Sequence, residues 1–141
     1  MPAPAADDPT IVFPHGLVGC EAWKRFILLA DDQALPVATL QSLDEPGVTL
    51  LVTDPALVLP GYSARLSADD RATLGLDRTS QPLLYCTLSV GADGWLTANL
   101  LGPLAINPAT RRGKQLVLAD SPYSTRHPVT RVAPEPEPCS S

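Results

Sequence analysis

The chain has 141 residues, which is the size of one domain, and 45% of them are hydrophobic, as in an ordinary globular protein. Its 16 prolines argue against long helices, because each proline removes a backbone donor, and no apolar stretch is long enough to predict a membrane helix. The formal net charge of -5 disfavours nucleic acid as a direct partner, since an acidic protein repels phosphate backbones.

The two ends of the chain differ in composition from the middle. Residues 1–10 are rich in Pro, Ala and Asp, and residues 133–141 alternate proline with acid, so both segments are predicted to be disordered. The compact domain is therefore predicted to span 11–132. The first residues lack a cationic region before an apolar one, which argues against a signal peptide and favours a cytoplasmic location. Three cysteines, an odd and sparse set, agree with that compartment.

Four short strands are predicted in the first half of the domain. IVF at 11–13 is ended by Pro14, and RFILLA at 25–30 has the pattern of a buried strand. VATLQSL at 37–43 alternates weakly, and VTLLVT at 48–53 is β-branched and apolar. Turn-forming Gly, Pro and Asp residues separate the four strands.

The one predicted helix is SADDRATL at 67–74. Ser67 is placed to cap it, Asp70 occupies the capping-box position, and Gly75 is placed to end it. Two acids in the first turn suit the helix dipole. GYSARL at 61–66 precedes the helix and alternates apolar with polar residues, which predicts an extended segment with its apolar side chains facing inward.

The second half of the domain contains the clearest hairpin. PLLYCTLSV at 82–90 and WLTANLL at 95–101 alternate on either side of the turn GADG at 91–94. KQLVLAD at 114–120 predicts a further strand, and the three cations at 111, 112 and 114 are placed in a basic, solvated turn that leads into it. Many short strands and one short helix predict a mostly β fold, a small antiparallel barrel or sandwich in a single domain.

No motif in the chain indicates a phosphate or metal site. GKQ at 113–115 resembles the end of a P-loop, but Pro108 stands where that motif needs glycine, and Gln115 where it needs Ser or Thr. His15 and His127 are isolated, and the Cys-x-x-Cys spacing of metal sites does not occur. We therefore expect neither a metal nor a cofactor.

One enzymatic alternative stays open from the sequence. Cys20 could act as a nucleophile with His127 as its base, although nothing in the sequence places the two together. Cys86 lies in an apolar alternation and is predicted to be a small core residue. Adjacent carboxylates, as at 69–70, predict a solvated acidic surface, because neighbours on a helix point about 100° apart. The low aromatic content of 5% also argues against an RNA-binding strand face.

A binding module therefore remains as the favoured class. Residues 1–70 hold ten acids and three bases, hence -7, while residues 71–141 hold five acids and seven bases, hence +2. A basic protein partner suits this charge, because opposite potentials steer association. The binding candidates are polar side chains predicted on exposed faces: Tyr62, Arg65, Tyr85, Asn99, Arg111, Arg112, Lys114, Arg126 and His127.

Five segments, taken in order, carry a family signature. FPHGLVGCE at 13–21 is similar to a Phe-Pro-x-Gly-Leu-Pro-Gly-Phe-Glu opening, and LQSLDEPGVTLLVTDP at 40–55 to a Leu-Gln-Ser strand that runs on to Asp-Pro. YSARLSADDRATLGL at 62–76 matches a strand and short helix, and NLLGPLAINPATRRGKQLVL at 99–118 is the most specific match. With YSTRHPV at 123–129, these segments resemble the FliW family of flagellar assembly factors.

The resemblance implies a small cytoplasmic β-barrel-like domain that has no cofactor or enzymatic activity and binds two proteins. One is flagellin, held in a chaperone-like manner before secretion, and the other is the translational regulator CsrA, whose capture relieves repression of flagellin mRNA translation. Because they lie in the matching motifs, Asp54, Asn107 and Gln115 join the binding candidates. The chain departs from the motif at Val18, which replaces a proline, and at Cys20, which replaces an aromatic residue.

The charge of the chain agrees with this implication, since an RNA-binding regulator must carry basic surface. We expect a monomer that contacts neither membrane nor nucleic acid directly. The alternatives are a diverged β-barrel binding module for another partner and the small thiol enzyme that would use Cys20.

Overall fold

The computed structural model describes residues 10–30 and 37–131. The predicted disordered segments, 1–10 and 133–141, lie outside these ranges except for Thr10, which begins the first strand. The described elements, in chain order, are β1 (Thr10–Val12), β2 (Arg25–Ala30), β3 (Val37–Ser42), β4 (Thr49–Thr53), α1 (Pro55–Val58), α2 (Ala68–Leu74), β5 (Leu83–Val90), β6 (Trp95–Ala98), β7 (Leu104–Asn107), β8 (Arg112–Gln115) and β9 (His127–Arg131).

Seven of these strands close into a barrel in the order β1, β2, β3, β4, β5, β7 and β8, with β8 returning to β1. Neighbours are antiparallel except β1 and β8, which run parallel and pair at Val12 and Arg112. The Val12 N–H donates to the Arg111 carbonyl at 2.9 Å and secures this closure. Closure leaves few unpaired strand edges. The predicted mostly β, barrel-like single domain is confirmed.

Strand β5 joins the barrel to a small additional sheet. It pairs with β7 through 83–85, with β4 through 86–88 and with β6 through 88–90. Leu88 thus has β4 on one side and β6 on the other. The outer partner of β6 is β9, with a register irregularity between Leu96 and Thr97.

Three apolar clusters stabilise the fold. The barrel interior is centred on Phe13 and Phe26, whose rings meet edge to face with centroids 5.5 Å apart. A second cluster includes Leu74 of α2 and Leu116 beyond β8, and a third is built around Cys86 with Val58 of α1. Burial of these side chains supplies the main driving force for folding.

The predicted helix is confirmed as α2, together with its caps. The Ser67 hydroxyl accepts from the Asp70 N–H at 3.0 Å, and the Asp70 carboxylate accepts from the Ser67 N–H at 2.9 Å, which is a complete capping box. Gly75 ends the helix with a left-handed φ of 75°. The last residue of α2, Leu74, is fully buried and anchors the helix on the barrel.

The prediction of a single helix is wrong, because α1 forms a second one. The Asp54 side chain accepts from the Ala56 N–H at 2.9 Å, and Pro55 occupies the first turn, where its missing N–H costs nothing. In the sequence, the Asp-Pro pair predicts only the end of a strand. The segment 61–66, predicted as extended, is extended but belongs to no strand.

The predicted turn containing all three cations is also wrong in its bounds. Pairing of Asn107 with Arg112 leaves only 108–111 in the turn, so Arg112 and Lys114 lie within β8. The strand predicted at 114–120 ends at Gln115, because beyond it the backbone makes only isolated hydrogen bonds to the 101–103 segment.

Candidate functional site

Two free cysteines, Cys20 and Cys86, lie within the described residues. No group of three or more His, Cys, Asp or Glu residues among them is placed to hold a metal ion. Burial raises the pKa of Cys86 to about 11, which keeps this thiol protonated, and Cys20 packs against the barrel core. No hydrogen bond links Cys20 to His127 within the described ranges. Cys20 lies between β1 and β2, whereas His127 lies in β9, the outer strand of the additional sheet.

Neither described helix has the length and apolarity that a membrane-spanning helix needs. The longer of the two, α2, contains seven residues. A helix that crosses the hydrocarbon core needs roughly 20 residues.

Several predicted binding residues make hydrogen bonds inside the domain. The Tyr62 hydroxyl donates to the Leu100 carbonyl at 2.7 Å, and its ring lies 4.5 Å from that of Tyr123. Burial raises the pKa of Tyr62 well above its ordinary value, so the hydroxyl remains a donor. Tyr85 also packs against the barrel core, and burial raises its pKa. These tyrosines stabilise the domain, and a partner role for Tyr62 stays a prediction.

The motif residues near the barrel end secure loops. Asn107 is only 5% exposed and donates to the Leu74 carbonyl at 2.8 Å, which joins the end of α2 to the β7–β8 turn. Gln115 donates to the Gly102 carbonyl at 2.9 Å and accepts from the Val18 N–H at 2.8 Å. Asn99 accepts from the Gly102 N–H at 2.8 Å. These hydrogen bonds give the motif residues a structural role. Asp54 has a structural role as well, because its side chain caps α1.

Lys114 joins α2 to the barrel. Its Nζ lies 2.7 Å from Asp70 Oδ1 and 3.4 Å from Asp69 Oδ2, and its side chain is 18% exposed. The hydrogen bond to Asp70 raises the pKa of Lys114. Partial burial opposes ionisation of Asp70, but hydrogen bonds from Lys114 and Ser67 outweigh it and lower the pKa of that carboxyl. The pair is therefore charged at neutral pH and holds the helix in place.

The remaining predicted cations lie at the surface, with Arg65, Arg112 and Arg126 exposed and Arg111 partly buried. Arg112 is exposed and makes one long contact of 3.5 Å to the Thr73 carbonyl, while Arg111 has a left-handed φ of 60° at the end of its turn. Within the described ranges, none of the arginines at 65, 111, 112 and 126 forms an ion pair. His127 lies half-buried in β9, opposite Ala98. The structure distributes these side chains over several surfaces and does not gather them into one site.

The outer face of the barrel carries exposed leucines that the sequence reasoning missed. Leu29 lies opposite Thr39, which lies opposite Leu51, which lies opposite Leu88, so these side chains line up across four strands. Val90 follows two residues after Leu88 on the same face. We call Leu29, Leu51, Leu88 and Val90 the outer apolar row; Leu29 is 54% exposed, Leu51 44% and Val90 57%. The sequence does contain a signal for these leucines. A continuous apolar run, as in β2 and β4, indicates a strand that is apolar on both faces.

A groove of about 820 Å³ lies on another part of the surface. One wall is the extended segment 63–67, and the other is 114–123, which leaves the end of β8. The predicted binding residues Arg65, Lys114 and Gln115 all line it.

A family model, curated relatives and a solved structure that match this chain all carry the same family name. The family model described as FliW protein matches residues 3–129. The chain is 34% identical over 125 residues to the flagellar assembly factor FliW of Natranaerobius thermophilus, covering 87% of this chain and 83% of that protein. It is 35% identical over 124 residues to that of Syntrophomonas wolfei, covering 87% and 80%. A crystal structure of the flagellar assembly factor FliW superimposes with a TM-score of 0.78 at 31% identity, covering 86% of each chain.

Proposed function

The chain belongs to the FliW family of flagellar assembly factors, and from this premise we propose that it acts in the cytoplasm by binding two proteins. It holds flagellin in a chaperone-like manner before secretion. It also captures the translational regulator CsrA and thereby relieves repression of flagellin mRNA translation. It works as a binding protein and not as an enzyme.

The observation that carries a binding function is the outer apolar row. Three of its side chains are 44% to 57% exposed, although Leu29 and Leu51 lie in strands whose other face already supplies the barrel core. Folding does not require leucine at these outward positions. Thr39 separates Leu29 from Leu51, and Leu88 is half-buried against the third apolar cluster, so the row is an interrupted apolar stripe. Exposed apolar side chains grouped on one face of a domain mark a site of protein association.

The charge of the chain supports CsrA as one of the partners. The net charge is -5, and the first 70 residues alone carry -7. A regulator that binds RNA must present basic surface, and opposite potentials speed the encounter of two proteins. We therefore expect association with CsrA to slow as salt rises, because the Debye length falls to about 3 Å at 1 M salt.

The test is a titration of the purified chain with flagellin and with CsrA from the same organism, separately and together, by isothermal calorimetry. We expect each partner to bind and bound flagellin to prevent capture of CsrA. Leu51→Glu, which places a charge in the outer apolar row, should reduce the binding affinity for at least one of the two partners by about tenfold or more. The matched control is Val18→Glu, because Val18 is 63% exposed and lies outside the row.

The outcomes separate the parts of the proposal. If neither flagellin nor CsrA binds the wild-type chain, the proposed function is wrong, and the fold serves another partner. If both bind and Leu51→Glu has no more effect than Val18→Glu, the function stands and the outer apolar row is not the contact surface.

A further inference from the structure

The two walls of the groove run antiparallel and are joined by side chains at both ends. At one end the Ser63 N–H donates to the Tyr123 hydroxyl at 3.1 Å. At the other, Lys114 Nζ lies 2.7 Å from Asp70 Oδ1, in the first turn of α2, which continues the 63–67 wall. Both links use a long side chain, and no hydrogen bond joins the walls between them within the described residues. The side chains therefore keep two extended backbones apart without closing the space between them.

The wall beyond β8 carries a backbone edge that is open. The N–H groups of Leu116 and Leu118 donate to carbonyls of the 101–103 segment at 2.8 and 2.9 Å. The backbone N–H and C=O groups of successive residues in an extended chain face opposite ways. The N–H and carbonyl of Val117 therefore point away from the 101–103 segment. Val117 is 60% exposed, and neither its N–H nor its carbonyl has a partner in residues 10–30 or 37–131. Across the groove, the backbone N–H of Arg65 also has no hydrogen-bond acceptor within the described residues.

The side chains of the groove define what it would accept. Leu66, Leu116 and Leu118 form its apolar base as part of the cluster beneath α2. Lys114 and Asp70 neutralise each other, whereas Arg65 on one wall and Asp120 on the other have no ion pair within the described ranges. The groove thus offers an apolar base between one free cation and one free anion.

We propose that this groove binds an extended segment of a partner protein, in which an apolar side chain is flanked by one acidic and one basic side chain. The apolar side chain packs on the leucine base, the acid faces Arg65, and the base faces Asp120. The backbone of the segment pairs with Val117, as in recognition by strand addition. The inference rests on the proposed function only for the identity of the partner.

The first experiment needs no known partner. A phage-displayed library of random peptides of roughly nine residues, enough to span a strand-addition site, is selected on the wild-type chain. We expect the selected peptides to share an apolar residue between opposite charges and to shift the amide resonances of Val117 and Arg65. Selection of no peptide, or of peptides that shift only amides away from the groove, overturns the inference.

Variants then test each contact with matched controls. Val117→Pro removes an N–H that has no acceptor within the described residues and fixes φ near about −65°, which an extended segment accommodates, so the fold should persist. Peptide binding should weaken by about tenfold, whereas Val117→Ala keeps the N–H and should stay within about twofold. Arg65→Glu and Asp120→Lys should each weaken binding, and Arg78→Glu and Asp93→Lys, outside the groove, should not. Selected peptides that bind Val117→Pro and Arg65→Glu as tightly as the wild type overturn the inference.

The same variants distinguish this inference from the proposed function. Loss of flagellin or CsrA binding in Val117→Pro, with retention in Val117→Ala, names the partner whose segment enters the groove. If neither protein binds the wild-type chain while selected peptides still occupy the groove, the proposed function fails and the groove stands.

Discussion

Gly113 lies directly beneath the ring of Phe13, and we predict that Gly113→Ala destabilises the domain. A Cβ at position 113 would stand 2.6 Å from Phe13 Cζ and 2.7 Å from Cε2, closer than non-bonded carbon atoms approach in proteins. The ring is fully buried and packs on Phe26, so it has no free space into which to move. The added methyl must therefore distort the barrel where β1 meets β8.

The expected change in the free energy of unfolding for Gly113→Ala follows from two opposing effects. Replacing glycine by alanine in an ordinary strand stabilises a protein by about 0.4–1 kcal/mol, because the unfolded chain loses freedom. Forcing an extra carbon into a packed core costs about 1–3 kcal/mol. The clash should dominate, giving a net loss of about 1–2 kcal/mol and a fall in Tm of roughly 4–8 °C for a domain of this size.

Urea unfolding followed by tryptophan fluorescence measures the effect, since Trp23 packs against the barrel core. Gly47→Ala is the matched control. Nothing lies within 4 Å of a Cβ built at position 47, and its backbone is not left-handed. The control should leave stability unchanged or raise it by up to about 1 kcal/mol.

A double-mutant cycle isolates the contact itself. In a Phe13→Leu background the ring is gone, so Gly113→Ala should cost less by about 0.5 kcal/mol or more. The reasoning is refuted if Gly113→Ala is as stable as the wild type, or if it costs the same in both backgrounds.

Three further predictions follow from the hydrogen bonds of the domain. Tyr62→Phe leaves a buried backbone carbonyl without its 2.7 Å donor and should cost about 1–2 kcal/mol in urea unfolding; an unchanged midpoint would contradict this. Lys114→Met should destabilise at neutral pH. Because the pKa of Asp70 is lowered in the folded state, its contribution is present above the unfolded pKa and disappears as pH falls through the folded one. The difference between wild type and variant should therefore stay constant down to about pH 5 and narrow as pH falls further, past the ordinary aspartate pKa of about 3.9; a difference that does not narrow below that pH would be inconsistent with the ion pair. Hydrogen bonds from Ser80 and its neighbour lower the pKa of Asp77 to about 2, which carboxyl NMR titration should show; an ordinary value would argue against that turn.

Elements governed by local chemistry were predicted well from the sequence. The strand at 25–30 has the predicted bounds, and α2 has the predicted cap, capping box and terminating glycine. Each of these signals lies within the segment that it controls, so neighbouring residues alone suffice. The helix α1 was missed because Asp54 and Pro55 serve equally well as the end of a strand and as the start of a helix.

Features that depend on register were not predictable in the same way. The sequence shows a glycine before Lys114, but the ring that requires it comes from Phe13, far away along the chain. Likewise, the placement of Arg112 and Lys114 in a strand depends on the pairing of Asn107 with Arg112 across the β7–β8 turn. Local pattern cannot supply such pairings, because a shift of one residue reverses which face each side chain occupies.

The candidate site shows why a family signature and a binding surface need not coincide. Asn107 and Gln115 match the family motif, and both are used for hydrogen bonds that hold loops at the barrel end. Leu29 lies outside the five matching segments and Leu51 lies within the one at 40–55, yet both project from strands whose inward faces already complete the core. In an apolar run both faces look alike, and only closure of the barrel decides which leucines face water. Polar motif residues such as Asn107 and Gln115 therefore reveal the family because the fold requires them, and the partners are to be sought on apolar side chains that the fold does not require.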